Sequence, residues 1–160
     1  MYKLIWAVIL LSFCNFSFGA VATKAKTGKY ISEGVITGGA KELRSVVLKD
    51  IRRAQSKDGF ERVVFDLGSE QGQTNSLPYY QVQMSAKQNK VVLSFWADVS
   101  YRYSAEKVKS TFKKSKHVKV LNVVPRVEDG LSIIELFLVG TSKVEAFELS
   151  NPSRVILDLK

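Results

Sequence analysis

Cysteine and histidine are almost missing from this chain: Cys14 and His117 are the only ones among 160 residues. A lone histidine cannot belong to a cluster of histidine and cysteine ligands, so a zinc centre of that kind is excluded. A lone cysteine forms no internal disulfide, and the fold must be held by packing alone. A Ser-His-Asp arrangement would have to use His117, which lies between Lys116 and Val118 at an expected strand start. No nucleophile-elbow motif accompanies it, so His117 is expected to be solvent-exposed and non-catalytic. Gly34, Gly38 and Gly39 have neither the spacing nor the lysine of a phosphate-cradling loop.

Long apolar runs are also lacking. The best, Leu4 to Phe13, falls short of the roughly 20 residues a bilayer span needs. Lys3 precedes it and Ala20-Val21-Ala22 follows at a small-x-small cleavage pattern, so residues 1–22 read as a secretory signal peptide. Cleavage after Ala22 is the first choice and after Gly19 the second. A rival lipoprotein reading would acylate Cys14, but bulky Phe13 stands where such a site wants a small residue. Cleavage after Ala22 removes Cys14 and, of the basic residues, only Lys3, so the net charge falls from +9 to +8. A cysteine-free exported domain points to the periplasm of a bacterial envelope, with no transmembrane span in the mature protein. Charge argues about partners and not about fold. The acidic polymers of that compartment are peptidoglycan, with its peptide carboxylates, and anionic lipid headgroups; nucleic acid is not expected as a partner, and no cofactor is expected.

What the chain does have is period-two alternation. Thr23 to Arg44 is rich in Lys, Thr and Gly and reads as a flexible leader or a poorly packed first strand. From Ser45 onward apolar and polar residues alternate between turn signals, which predicts an all-β domain over residues 45–160. The expected strands are Val46 to Arg53, Phe60 to Leu67, Tyr79 to Met84, Lys90 to Trp96, His117 to Val124, Leu131 to Val139, Val144 to Leu149 and Arg154 to Leu159. Asp58-Gly59 and Asp129-Gly130 are the strongest hairpin turns; Gln88-Asn89 and Asn151-Pro152-Ser153 are others, the latter shaped by Asn151 and Pro152. Ser104 is a good N-cap, and Ala105, Val108 and Phe112 recur at helical spacing, so Ser104 to Ser115 is expected to be a helix of about three turns. Lys107, Lys109, Lys113, Lys114, Lys116 and Lys119 make this the densest positive charge in the chain.

Two internal similarities stand out. Arg62-Val63-Val64-Phe65-Asp66-Leu67 returns as Arg154-Val155-Ile156-Leu157-Asp158-Leu159. In a strand, Val63, Phe65, Leu67, Val155, Leu157 and Leu159 face a core while the Arg-apolar-Asp residues face away. Separately, Phe60 to Leu67 aligns with Leu131 to Leu138, and Lys90 to Phe95 with Arg154 to Leu159. This suggests two four-strand halves packed on each other, a sandwich of two similar four-stranded sheets with one short connecting helix. Val63, Phe65, Leu136, Val155 and Leu157 are expected core residues. Paired carboxylates can hydrolyse glycosidic bonds, yet Asp66 and Asp158 are more simply outer-face partners for Arg or Lys on neighbouring strands. Trp96 falls on the face opposite Val91, Leu93 and Phe95: it either stacks on a sugar ring or covers the end of the sandwich under the helix.

The succession Arg62…Asp66-Leu67, Pro78-Tyr79-Tyr80 and Phe147-Glu148-Leu149-Ser150-Asn151-Pro152-Ser153-Arg154-Val155-Ile156-Leu157-Asp158-Leu159 resembles the AMIN domain family. Members are non-catalytic modules found before cell-wall amidases and in type IV pilus secretins. The resemblance covers Ser45 to Lys160 and is most specific in Asn151-Pro152-x-Arg154-x-x-x-Asp158. It implies a two-sheet sandwich, a periplasmic location and peptidoglycan binding through outer sheet surfaces, with Arg62, Asp66, Arg154 and Asp158 as the surface residues. Two departures accompany it: the turn Lys87-Gln88-Asn89-Lys90 lacks proline, and Ser94 stands where Asp is expected, so one sheet is expected to lack that surface. The expected function is therefore non-enzymatic binding of peptidoglycan or the cell-wall machinery. The alternative is a protein-interaction adaptor that positions an envelope complex such as an amidase or a secretin.

Overall fold

Among the described residues, the apolar-polar alternation is realised as ten strands, accompanied by one helix. The structure, a computed structural model, describes residues 25–126 and 130–160, and of Pro125 and Arg126 the backbone alone. The expected signal peptide, Cys14 and the Asp129 half of the second hairpin turn lie outside the described residues. The strands are β1 (Glu33–Gly38), β2 (Ser45–Gln55), β3 (Glu61–Gly68), β4 (Tyr80–Ser85), β5 (Lys90–Trp96) and β6 (Asp98–Tyr101), followed after the helix by β7 (Val118–Arg126), β8 (Leu131–Leu138), β9 (Val144–Ser150) and β10 (Ser153–Leu159). Helix α1 spans Ala105–Phe112.

The strands form an all-β sandwich. Sheet I has the order β6-β2-β3-β10-β9 and sheet II the order β1-β4-β5-β8-β7. All neighbours in the two sheets are antiparallel except β2 and β6, which run parallel. Each sheet therefore has five strands where the sequence suggested four. The additional ones, β1 and β6, lie on sheet edges and are short or Gly-interrupted, so neither carries a readable apolar period. Within the segment expected to be a flexible leader or a poorly packed first strand, Glu33–Gly38 is a strand, paired with β4 from Glu33↔Ser85 to Gly38↔Tyr80.

The internal repeat is real in the topology but not as two stacked halves. The first half sends β2-β3 to sheet I and β4-β5 to sheet II, while the second sends β7-β8 to sheet II and β9-β10 to sheet I. Each half thus contributes one hairpin to each sheet, and the halves interleave at the pairs β3·β10 and β5·β8. Interleaving buries the apolar face of both halves in one core. Phe65, Tyr80, Leu93, Phe95, Leu136, Val155 and Leu157 are all fully buried there, and Val63 with them.

Helix α1 has eight residues, shorter than the three turns expected. The Ser104 hydroxyl caps its first turn by accepting from Lys107 N at 3.2 Å, and Val108 and Phe112 are its buried residues. Past Lys113 the chain is pinned to sheet I. Buried Glu61 accepts from Lys116 N at 3.1 Å and from the Ser115 hydroxyl, and it pairs with Arg53, whose Nη2 also donates to the Lys114 carbonyl at 2.8 Å.

One loop constrains the sequence sharply. Gly39 has φ +73°, in the left-handed region, and a Cβ there would lie 1.9 Å from the Pro78 carbonyl oxygen. Gly59 has a similar φ of +82° but open space around it. Gly59→Ala is therefore expected to show only the conformational cost, on the order of 1 kcal/mol. Gly39→Ala should cost clearly more, because backbone must move. Urea midpoints of the two variants check the ordering.

Candidate binding surfaces

The two Arg…Asp hexads are neighbours. β3 and β10 pair antiparallel with Arg62↔Asp158, Val64↔Ile156 and Asp66↔Arg154 in register. An antiparallel pair of identical Arg-x-x-x-Asp patterns is self-complementary: each arginine meets the other strand's aspartate. Arg62 holds Asp158 bidentately, Nε to Oδ1 at 2.7 Å and Nη2 to Oδ2 at 2.8 Å, the strong fork geometry of guanidinium and carboxylate. Arg154 Nε donates to Asp66 Oδ1 at 3.0 Å, and Arg52 from β2 grips the same carboxylate through two nitrogens. Between the two ion pairs Val64, Ile156 and Phe147 pack into a small second apolar cluster on the outside of sheet I.

Asp158 lies on the outer face, yet its side chain has no exposed surface, whereas Arg62 retains 32%. The cover is the segment before β1. Lys26 Nζ reaches Asp158 Oδ2 at 2.6 Å and sits 4.1 Å over the Phe60 ring. The N–H groups of Thr27 and Gly28 donate to Glu145 Oε1 at 2.7 and 2.6 Å, and Ile31 bridges to Val144. Glu145 stands directly beside Asp158 in the β9·β10 register. Two adjacent buried acids repel unless cations and donors face them, which explains why this segment docks although it has no apolar period. Burial alone would raise the Asp158 carboxyl, but the hydrogen bonds from Arg62 and Lys26 outweigh it and hold Asp158 below the usual aspartate range.

This shift sets a pH dependence. A carboxylate with a lowered folded-state pKa contributes stability that is fully present above the unfolded value of about 3.9 and is lost as pH falls through the folded value. Thermal melts are therefore expected to fall as pH drops below about 4. Asp158→Asn, although less stable at neutral pH, should show a flatter decline over the same window.

Sheet II does not repeat this lattice. The positions that correspond to Arg62↔Asp158 are Ile133↔Ser94, and those that correspond to Asp66↔Arg154 are Phe137↔Lys90. Lys90 instead pairs with Glu135 at 3.0 Å and lies over Phe137. With Ile133, Ser94 and Phe137 at three of these four positions, sheet II has no counterpart of the ion-pair lattice among the described residues.

Trp96 ends β5 opposite Leu131 and is 43% exposed. It does not lie under α1, whose buried side chains sit by β2 and β7. Its neighbour is Tyr79, with ring centroids 5.2 Å apart and planes tilted by 52°. Their backbones are tied by Trp96 N donating to the Tyr79 carbonyl at 3.0 Å, and Lys41 Nζ stands 5.9 Å from the Tyr79 ring. An exposed indole backed by a half-buried phenol ring, with a cation beside them, can stack a ring and meet an anion together. Asn151 and Pro152 form the β9–β10 turn through a cis peptide bond. His117 is half-buried, with Nδ1 3.3 Å from the Ser142 hydroxyl, so the sequence overstated its exposure. Among the described residues no group of three or more His, Cys, Asp or Glu is placed to hold a metal ion, and no helix is long and apolar enough to cross a membrane.

Comparison with protein-family models, with curated proteins and with solved structures finds no match to this chain. Sequence reasoning missed Arg52 and Lys26. Arg52 was within reach, since it shares the outer face of an expected strand; nothing in the leader's composition marks Lys26.

Proposed function

We propose that this chain is a non-enzymatic, periplasmic binding module of the bacterial cell envelope, of the AMIN type, that holds peptidoglycan. The observation that carries the reading is exposed Trp96 beside half-buried Tyr79, with Lys41 alongside. A glycan strand offers sugar faces to the rings, and the stem-peptide carboxylates meet Lys41. The Arg…Asp lattice takes a lesser part than its sequence suggests, because its guanidiniums are already engaged by Asp66 and Asp158. Arg154, bonded through Nε, is the arginine of the lattice best placed to turn outward. Individual exposed contacts are weak, below about 1 kcal/mol each, and retention comes from many contacts along a repeating polymer. The second reading, an adaptor that positions an envelope complex, draws on a different feature, the open edge of β7.

Residues 23–160 are expected to sediment with insoluble peptidoglycan at low salt and to be released as salt rises, since exposed charges are screened beyond about 8 Å at physiological ionic strength. Trp96→Ala should reduce the bound fraction more than Arg154→Ala, and Lys57→Ala, in the turn after β2, should leave it unchanged. All three should keep the parent's melting temperature within a few degrees. A folded parent that stays in the supernatant at low salt overturns the reading.

A further inference from the structure

β7 is the last strand of sheet II, with β8 on one side and, among the described residues, no strand on the other. In an antiparallel pair, alternate residues turn their N–H and C=O groups away from the partner, so an edge strand carries a row of unpaired donors and acceptors. Proteins usually blunt such an edge by shortening it or covering it. β7 runs nine residues, and what lies beside it is an open groove of about 780 Å³ whose other wall is α1. Lys119, Val120, Leu121, Asn122, Val123 and Val124 all line it. Successive strand residues point to opposite faces, so six in a row can line one groove only if the groove follows the edge itself.

The groove has the remaining parts of a peptide site. Val108 and Phe112 of α1 give it an apolar floor, with Leu121 and Val123 packed against the same core. Lys109, Lys113 and Lys119 stand along it. Among the described residues no acidic side chain lines it, and none of the three lysines makes an ion pair. The helix wall is fixed in place, capped by Ser104 at one end and tied through Ser115 and Lys116 to buried Glu61 at the other. We infer that the β7 edge and α1 together form a docking site for an extended, acidic segment of a partner protein, which joins sheet II as a further strand beside β7.

Backbone pairing supplies the affinity in this mode and side-chain pockets supply selectivity. The β7 register is irregular at Lys119 and regular from Val120 onward, so at about 3.3 Å per residue the five lining positions Val120–Val124 offer a ladder roughly 17 Å long. A glycan or a lipid headgroup lacks the regular alternation of donors and acceptors that would match this edge. A second copy is disfavoured, because pairing two β7 edges would bring the lysines of both grooves together. Acidic residues on an incoming strand would instead reach Lys109 and Lys113 on the helix side and Lys119 beside the edge. The site does not depend on the wall-binding reading, which uses the Trp96 end of the sandwich.

The test uses the purified full chain and a short fluorescein-labelled peptide of alternating glutamate and valine. Two controls accompany it: the same peptide with alternate backbone amides N-methylated, and a peptide of alternating lysine and valine. The acidic peptide is expected to bind at low salt, and both controls to bind far more weakly. The triple variant Lys109→Gln, Lys113→Gln, Lys119→Gln, which alters only exposed side chains, should lose affinity by about tenfold or more, 1.4 kcal/mol per tenfold. Hydrogen exchange should slow at amides of Val120–Val124 on peptide addition and stay unchanged in β1, the other edge of the same sheet. Absence of binding by the acidic peptide overturns the proposal. So does equal binding of the N-methylated peptide, or unchanged exchange along β7, since either removes the strand ladder.

Discussion

Arg62→Asp is expected to cost about 3–5 kcal/mol, the range for breaking a buried ion pair by altering one partner. The replacement would set an aspartate directly across from Asp158, whose carboxylate is sealed from solvent and already has Glu145 on its other side. Lys26 would then be left to face Asp158 and the new aspartate, while Glu145 keeps the N–H groups of Thr27 and Gly28. Exchanging the charges, Arg62→Asp with Asp158→Arg, should recover part of the loss, because the guanidinium introduced on β10 would meet both the carboxylate introduced on β3 and Glu145. Neighbouring residues that interact directly show coupling of about 0.5–3 kcal/mol in a double-mutant cycle. Strictly additive losses in urea melts would mean that the two hexads are not partners.

Phe65→Ala is the other large effect. Phe65 is fully buried between the sheets and pairs with Val155 on β10 and Ile51 on β2. Truncating a buried phenylalanine costs about 3–5 kcal/mol, as lost transfer energy plus the cavity left behind. For a domain of this size that is a large share of a total stability of about 5–15 kcal/mol. Truncation to alanine at exposed Val35 should be nearly silent. A melt unchanged by Phe65→Ala would place the register of β3 one residue out and turn the Arg62 side inward.

Strands β2–β5 and β7–β10 were legible because alternation survives in them, and the Val63, Phe65, Val155 and Leu157 face was legible with them. What the repeated hexad meant was also written in the chain, but only when the two copies are read in opposite directions: Arg62 then falls on Asp158 and Asp66 on Arg154. Superposed in the same direction they suggest two equivalent surfaces; opposed, they are one interlocked pair. The interleaving of the halves followed from the same fact, since β3 and β10 belong to different halves. Residues 25–31 could not be read, because what holds them is a lysine and two backbone N–H groups satisfying buried acids, and such contacts leave no periodic trace. β6 is equally silent: four residues at an edge give too little pattern to separate strand from loop. The Trp96 environment depended on which element covers the end of the sandwich, and α1 settles instead against β2 and β7.

The proposed wall binding at the aromatic pair has a direct optical test. The chain has two tryptophans, Trp6 and Trp96, so in residues 23–160 all tryptophan emission comes from Trp96. Titration with soluble disaccharide-peptide fragments of peptidoglycan should quench or blue-shift that emission in a saturable way, as an exposed indole beside Tyr79 becomes covered by a sugar ring. The change should weaken with added salt and vanish in no variant that leaves Trp96, Tyr79 and Lys41 intact. Emission that stays constant throughout the titration, while the same fragments bind by an independent measure, would contradict the placing of the wall at Trp96.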